Sequence, residues 1–215
     1  MKTGILFDLD GTLLDTLEDL MDATNYTLER FGFPLRTLEQ TRQAVGNGAA
    51  NQIRKSVPEG TPEETVQEML TVYKPYYASH CQNKTRPYPG ILEALETLKQ
   101  RYPIAIVSNK PDIAVKPLCN DYFPGIYALG EAADCPRKPA PDMVYKAMAA
   151  IGAETCIYVG DSEVDVLTAN NAAVPCLSVL WGFRDEEEIR TAGGIHFCRE
   201  TGKLVEKIEE MIHGK

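Results

Sequence analysis

Residues 4–12 read GILFDLDGT, an apolar run that passes abruptly into acidic residues and a glycine. The apolar run is typical of a short buried strand, and the glycine after it predicts a turn. Beyond the turn, hydrophobic residues recur every three or four positions, at Leu17, Leu20, Met21 and Leu28. This spacing places them on one face of a helix. The segment therefore predicts a strand, a turn and a helix, the order in which an α/β fold begins.

Strand and helix signals alternate from about residue 88 to the C-terminus. Short apolar runs predict strands near residues 104–107, 125–129, 156–159, 175–180 and 195–197, with helical patterns between them. This alternation predicts an α/β fold with a doubly wound parallel sheet. Residues 15–87 instead follow helical periods without a strand signal. We therefore predict an α/β core over 1–14 and 88–215, interrupted by a helical domain over 15–87.

One helix start inside the helical segment has a recognisable signature. Thr61 and Glu64 have the spacing of a capping box, in which two side chains bond each other's backbone at a helix N-terminus. We expect this pair to begin the helix that follows.

Charge and composition exclude several classes of protein. The chain has 215 residues and a net charge of −9, from 22 lysines and arginines against 31 aspartates and glutamates. This excess disfavours non-specific nucleic-acid binding and attraction to anionic membranes. No apolar run approaches the roughly 18 residues needed to span a bilayer, and the six cysteines form no C-x-x-C pair. We expect a cytoplasmic protein with no nucleic-acid or membrane partner.

Polar residues follow the predicted strands at the edge where an open α/β sheet binds its ligands. They are Asp8, Asp10 and Thr12 after the first strand, Ser108, Asn109 and Lys110 after the second, Asp161 and Asp165 after the fourth, and Lys138 before a later helix. Carboxylate oxygens suit a hard cation such as Mg²⁺. A lysine and a hydroxyl beside that cation suit a phosphate, and a carboxylate can be the nucleophile that accepts it. The pattern indicates a magnesium-dependent phosphate site.

The same residues resemble the four motifs of the haloacid dehalogenase superfamily, in the order that this superfamily carries them. The motifs are residues 8–13, 108–110, 138–139 and 160–165, which read DLDGTL, SNK, KP and GDSEVD. The helical segment after the first motif is similar to the cap of members with an all-α cap, so the resemblance covers nearly the whole chain. It implies a Rossmann-like core. Residues 15–16, 45–49 and 181–183 look most like those of phosphoglycolate phosphatases.

The resemblance implies roles for the two aspartates of the first motif and for the metal. Asp8 is implied as the nucleophile that becomes an aspartyl-phosphate, and Asp10 as the general acid and then base. Mg²⁺ is expected on the Asp8 carboxylate, the Asp10 backbone carbonyl and Asp161. Two roles stay open for Asp165, which either binds the metal through water or orients Lys138.

Further residues are implied as substrate contacts. Ser108 and the Asn109 backbone N–H are expected to bind phosphoryl oxygens, and Lys138 to balance charge in the transition state. Thr12 and Lys110 are additional candidates for substrate binding. The leading substrate is 2-phosphoglycolate, a small phosphorylated metabolite whose carboxylate needs a cation. The candidates for this cation in the helical segment are Arg42, Arg54 and Lys55.

Other activities share these motifs and stay open. A pyrophosphatase, a nucleotidase and a β-phosphoglucomutase belong to the same superfamily. A signalling phospho-acceptor domain also uses carboxylates, a hydroxyl and a lysine around Mg²⁺, but it places its aspartate after a later strand. A non-catalytic binding protein is the remaining alternative. The oligomeric state is expected to be a monomer or a homodimer.

Overall fold

A computed structural model describes residues 2–214, which form two compact units. The α/β unit consists of the chain up to Leu14 and from Pro87 onward, and the helical unit is Asp15–Arg86. Eight strands are present in the described residues: β1 Thr3–Phe7, β2 Leu14–Asp15, β3 Arg86–Pro87, β4 Ile104–Pro111, β5 Tyr127–Glu131, β6 Thr155–Gly160, β7 Cys176–Val179 and β8 His196–Cys198.

The helices divide between the two units. Those of the helical unit are α1 Leu17–Arg30, α2 Leu38–Ala44, α3 Gly48–Ser56 and α4 Glu63–His80. Those of the α/β unit are α5 Ile91–Lys99, α6 Asp112–Tyr122, α7 Asp142–Ile151, α8 Glu163–Asn171, α9 Glu186–Thr191 and α10 Leu204–His213, with a 3₁₀ turn at Thr201–Lys203.

The sheet of the α/β unit has six strands in the order β5-β4-β1-β6-β7-β8, and its neighbouring strands are parallel. The predicted doubly wound parallel sheet is therefore confirmed. The chain runs from β1 to β4 on one side and later to β6 on the other, so the strand order reverses at β1. Ligands of such sheets bind outside the carboxyl end of the strands at this reversal.

The core of the α/β unit covers both faces of the sheet. Ile5, Leu6 and Phe7 alternate between the faces of β1, and all three are fully buried. On the face that carries Leu6, the side chains of Met143 and Ala147 from α7 pack with the neighbouring strands. A strand buried on both faces needs a continuous apolar run, which explains the sequence GILF.

The helical unit has its own core and a buried polar network at its centre. Gln52 on α3 donates to the Thr24 hydroxyl on α1 at 2.9 Å and accepts from the Tyr73 hydroxyl on α4 at 3.2 Å. Buried apolar residues of the same helices include Leu20, Leu28 and Ile53. Because each buried polar atom has a partner, the network fixes how the three helices pack.

Two details differ from the sequence prediction. The chain forms two-residue strands, β2 and β3, which pair with each other where it passes between the units; segments this short carry no periodicity. The capping box at Thr61 and Glu64 was wrong. Pro62 is the N-cap of α4, and the Thr61 hydroxyl donates to the Pro58 carbonyl at 2.7 Å instead.

Two further findings concern exclusions made from the sequence. None of the helices within residues 2–214 is long and apolar enough to cross a membrane. The six cysteines are free thiols, and five of them are buried.

Candidate active site

The candidate residues gather at the carboxyl end of three neighbouring strands. Asp8 directly follows β1, and Asp161 directly follows β6. Ser108, Asn109 and Lys110 lie inside β4 rather than after it, because β4 continues to Pro111 through a register shift against β5. The predicted end of this strand near residue 108 was therefore too early. Parallel neighbours bring these residues to one edge of the sheet.

Lys138 lies at the centre of the site. Its Nζ is 2.8 Å from Asp8 Oδ1 and 2.8 Å from Asp165 Oδ1, and its side chain is only 2% exposed. Burial alone lowers the pKa of Lys138, but the adjacent Asp165 and Asp8 outweigh it and raise the pKa well above its usual value. The ammonium group is therefore held charged beside the Asp8 carboxylate.

The side chain of Asn109 fixes the loop that carries this lysine. Its amide nitrogen donates to the Lys138 carbonyl at 3.0 Å, and its amide oxygen accepts from the Lys138 N–H at 2.8 Å. The sequence predicted a role for the Asn109 backbone N–H only. The two side-chain bonds link β4 to a loop 29 residues further along the chain, a contact that spacing alone does not reveal.

Both carboxylate oxygens of Asp165 have donors. Oδ1 contacts Lys138, and Oδ2 accepts from the Ser162 hydroxyl at 2.7 Å and from the backbone N–H groups of Ser162 and Asp161 at 3.1 and 3.2 Å. Of the two roles left open for Asp165, the direct contact favours orienting Lys138. Asp165 also ties the first turn of α8 to the end of β6.

Asp161 is held by two donors from different loops. The Thr12 hydroxyl donates to Oδ1 at 3.0 Å, and the Phe183 N–H donates to Oδ2 at 2.7 Å. Burial, reinforced by Asp165, raises the pKa of Asp161 to about 7. Thr12, predicted as a substrate contact, thus places its hydroxyl on Asp161. The loop after β7 was missed as part of the site, although it also follows a strand at the same edge.

The second aspartate of the first motif has a lysine partner of its own. Lys110 Nζ lies 2.8 Å from Asp10 Oδ1, with the lysine side chain 2% and the aspartate side chain 15% exposed. The Lys110 N–H donates to the Ser108 hydroxyl oxygen at 3.2 Å. The sequence placed Lys110 among the substrate contacts and gave no sign of this ion pair.

The charges of the site fit a divalent cation. Carboxylate oxygens of Asp8, Asp161 and Asp165 lie within 4.8 Å of one another. The site has four carboxylates and two lysines, so that full ionisation of the carboxylates would leave two negative charges without a partner. Burial raises the pKa of Asp8 well above its usual range, against the lowering effect of Lys138. Oxygen ligands with uncompensated negative charge suit Mg²⁺.

Comparisons with known proteins agree on one family. The profile of the haloacid dehalogenase-like hydrolases matches residues 5–179. The chain is 35% identical over 191 residues to phosphoglycolate phosphatase 1 of Pseudomonas aeruginosa, covering 83% of this chain and 70% of that one. It is 32% identical over 217 residues to a phosphoglycolate phosphatase of Agrobacterium fabrum, covering 94% and 92%.

The solved structures extend this agreement to the fold. The crystal structure of a "putative phosphoglycolate phosphatase" from Lactobacillus delbrueckii subsp. bulgaricus superposes with a TM-score of 0.91 at 37% identity, over 97% of this chain and 99% of that chain.

Proposed function

The chain belongs to the haloacid dehalogenase-like hydrolase family and is a phosphatase of phosphate monoesters, and from this premise we propose that it works with Mg²⁺ through an aspartyl-phosphate on Asp8. The observation that carries the proposal is the position of Asp8 at the end of β1, ion-paired to Lys138 and close to Asp161. Bound at the Asp8 and Asp161 carboxylates and the Asp10 carbonyl, Mg²⁺ supplies positive charge that offsets repulsion between nucleophile and phosphate.

In the first step, a carboxylate oxygen of Asp8 attacks the phosphorus. The bond from phosphorus to the ester oxygen breaks, and Asp10 gives a proton to the departing alkoxide. Ser108 and the Asn109 N–H bind phosphoryl oxygens, while Lys138 balances the charge that develops in the transition state. Lys138 reaches this position because Asn109 and Asp165 fix its backbone and its ammonium group.

In the second step, water attacks the phosphorus of the acyl phosphate. Asp10, now ionised, takes a proton from that water, and the bond between phosphorus and Asp8 breaks. Inorganic phosphate leaves, and both aspartates return to their starting state. By its resemblance to an all-α cap, the helical unit is proposed to be the cap domain of this phosphatase.

The proposed substrate is 2-phosphoglycolate. The names of the relatives favour it. Two relatives that match 83% and 94% of this chain are phosphoglycolate phosphatases. The cation candidates of the helical unit differ in their surroundings. Arg42 and Arg54 form ion pairs with Glu39 and Glu63, each at 2.8 Å. Lys55 is exposed and has no ion-pair partner within residues 2–214, which makes it the first of the three to test.

The test is phosphate release from a panel of substrates, with Mg²⁺ and with EDTA. We expect 2-phosphoglycolate to be preferred over pyrophosphate, nucleoside monophosphates and sugar phosphates, and activity to disappear with EDTA. Asp8→Asn should lose at least about 10³-fold in kcat, because the neutral amide that replaces the carboxylate is a poor nucleophile. The matched control is Asp134→Asn, an exposed aspartate paired with Lys146, which should leave kcat unchanged. Preference for another panel member would overturn the assignment of 2-phosphoglycolate as the substrate. An active Asp8→Asn variant would overturn the assignment of Asp8 as the nucleophile.

A further inference from the structure

Each aspartate of the first motif has its own buried lysine. Lys138 contacts Asp8, and Lys110 contacts Asp10, both at 2.8 Å and both with lysine side chains 2% exposed. The two lysines come from different parts of the fold, one from the loop before α7 and the other from β4. The mechanism proposed above uses Lys138 but assigns nothing to the Lys110–Asp10 ion pair.

The position of Lys110 is fixed by its strand. It lies within β4, its N–H donates to Ser108 Oγ, and the next residue, Pro111, pairs in register with Glu131 on β5. β4 is hydrogen-bonded to β1, which ends just before Asp8. A buried ammonium group is costly without an opposite charge beside it, so the lysine and the Asp10 carboxylate hold each other in place.

The ion pair constrains the carboxylate that has to meet the leaving group. The Lys110 ammonium contacts Oδ1 of Asp10, which leaves Oδ2 to carry the proton in the first step. In that step Oδ1 of the protonated carboxyl accepts from the ammonium, and the contact becomes an ion pair again once the proton has left. A carboxylate on a turn after a strand otherwise rotates about its terminal torsion, whose preferences are broad. Holding one oxygen therefore directs the other, and general acid catalysis requires its proton within hydrogen-bond reach of the substrate.

We propose that Lys110 is a positioning residue, which orients the Asp10 carboxylate toward the leaving-group oxygen rather than binding the substrate itself. This inference rests on the proposed function, because it takes Asp10 as the general acid. It differs from the role in substrate binding that the sequence suggested for Lys110, and the two roles predict different dependence on the leaving group.

The test compares kcat/KM of wild type and Lys110→Met on three substrates. Ethyl phosphate and 2-phosphoglycolate release aliphatic alkoxides, which need a proton, whereas para-nitrophenyl phosphate releases a stable anion. We expect a loss of about 10²-fold on both alkyl esters and less than about 5-fold on the aryl ester, since positioned acids contribute 10²- to 10⁴-fold.

A loss confined to 2-phosphoglycolate would show that Lys110 binds its carboxylate. An equal loss on all three would show a contact to the phosphate or a structural defect. Either result overturns the proposal.

A double substitution tests whether Lys110 acts through Asp10. In an Asp10→Asn background, Lys110→Met should lower kcat/KM for ethyl phosphate by less than about 3-fold, because residues that act as a unit are not additive. A full second loss there would mean that Lys110 acts on its own and would contradict the proposal. If Asp10→Asn alone leaves kcat/KM unchanged, Asp10 is not the general acid and the proposed mechanism itself is wrong. This failure is therefore distinguishable from a failure of the role of Lys110.

Two further variants guard against misfolding. Lys110→Arg keeps the charge and should recover most of the lost activity on alkyl esters, while Lys110→Gln should resemble Lys110→Met. If Lys110→Gln were as active on alkyl esters as Lys110→Arg, the role of the ion pair would be contradicted. Lys146→Met removes an exposed Lys–Asp pair on the surface and is the matched control, with kcat/KM expected unchanged on all three substrates. Thermal melting of each variant identifies any that does not fold.

Discussion

Asp161 shows how single residues set the chemistry of this site. Its carboxylate is almost fully buried, yet both oxygens accept hydrogen bonds, from Thr12 and from the Phe183 N–H. These donors orient the group without supplying a full positive charge. A buried carboxylate in such surroundings resists ionisation until a cation arrives, which is the behaviour expected of a metal ligand.

Asp161 makes one contribution to the pH dependence of stability. The pKa of Asp161 is raised to about 7 by burial and by Asp165, against about 4 in an unfolded chain. Because the folded pKa is the higher one, the protonated group stabilises the metal-free protein below about pH 4, and this contribution is lost as pH rises through about 7. The proposed binding of Mg²⁺ needs the ionised form of Asp161, so we expect the affinity for Mg²⁺ to increase over the same pH range.

Melting curves with and without Mg²⁺ check this expectation. The rise in Tm caused by Mg²⁺ should be larger at about pH 8 than at about pH 6, because metal binding must displace the proton at the lower pH. Asp161→Asn should abolish the rise at both pH values and flatten the decline in Tm of the metal-free protein between them. A rise in Tm that is equal at both pH values in the wild type would contradict the role of Asp161.

At the scale of elements, the site depends on how closely three loops approach. The loops after β1, β6 and β7 meet around the Asp161 side chain, and glycines make the approach possible. A Cβ added to Gly182 would collide with Asp161 and lie 2.5 Å from the Gly11 carbonyl oxygen. Gly11 has φ of +82°, and its own added Cβ would meet the Asp161 carboxylate. Any side chain at these positions displaces the proposed metal ligand.

Gly182→Ala tests this packing directly. We expect a loss of about 1–3 kcal/mol in stability from overpacking, and a drop of about 10-fold in Mg²⁺ affinity because Asp161 is pushed out of place. Gly202→Ala is the matched control, since no atom lies within 4 Å of its added Cβ. Equal affinities in the two variants, measured by titration with Mg²⁺, would show that the close contact has no effect on the site.

The elements also show what the sequence could and could not predict. The apolar runs predicted the strands of the sheet, since burial on both faces requires such runs. The extension of β4 through Ser108, Asn109 and Lys110 was not predicted, because polar residues carry no strand signal and the strand continues only through a register shift. The capping box at Thr61 failed because Pro62 takes the N-cap position.

At the scale of the molecule, the sequence predicted which residues assemble but not how they bond to one another. The strand-end rule brought Asp8, Asp161 and Lys110 to one edge from distant positions. It left out the pairing of Lys110 with Asp10 and of Asn109 with Lys138, because pairing depends on side-chain rotamers and burial that spacing does not contain.

The distribution of charge over the molecule supports the same account. The chain has a net charge of −9, which repels an anionic substrate at long range. Attraction must therefore come from the site itself, where Lys110 and Lys138 are buried and Mg²⁺ is proposed to bind. We propose that the helical unit adds a cation for the substrate carboxylate, with Lys55 the first candidate.

Trapping the covalent intermediate tests whether Asp8 is the nucleophile. Enzyme mixed with Mg²⁺ and 2-phosphoglycolate is quenched in acid within the first turnover, digested and analysed by mass spectrometry. We expect the mass of one phosphoryl group on the peptide that contains Asp8 and no such mass in Asp8→Asn. In Asp10→Asn the phosphorylated peptide should accumulate if its hydrolysis is slowed more than its formation. A phosphoryl group on another residue would contradict the role of Asp8. So would turnover by the wild type when neither the wild type nor Asp10→Asn shows a phosphorylated peptide at any quench time.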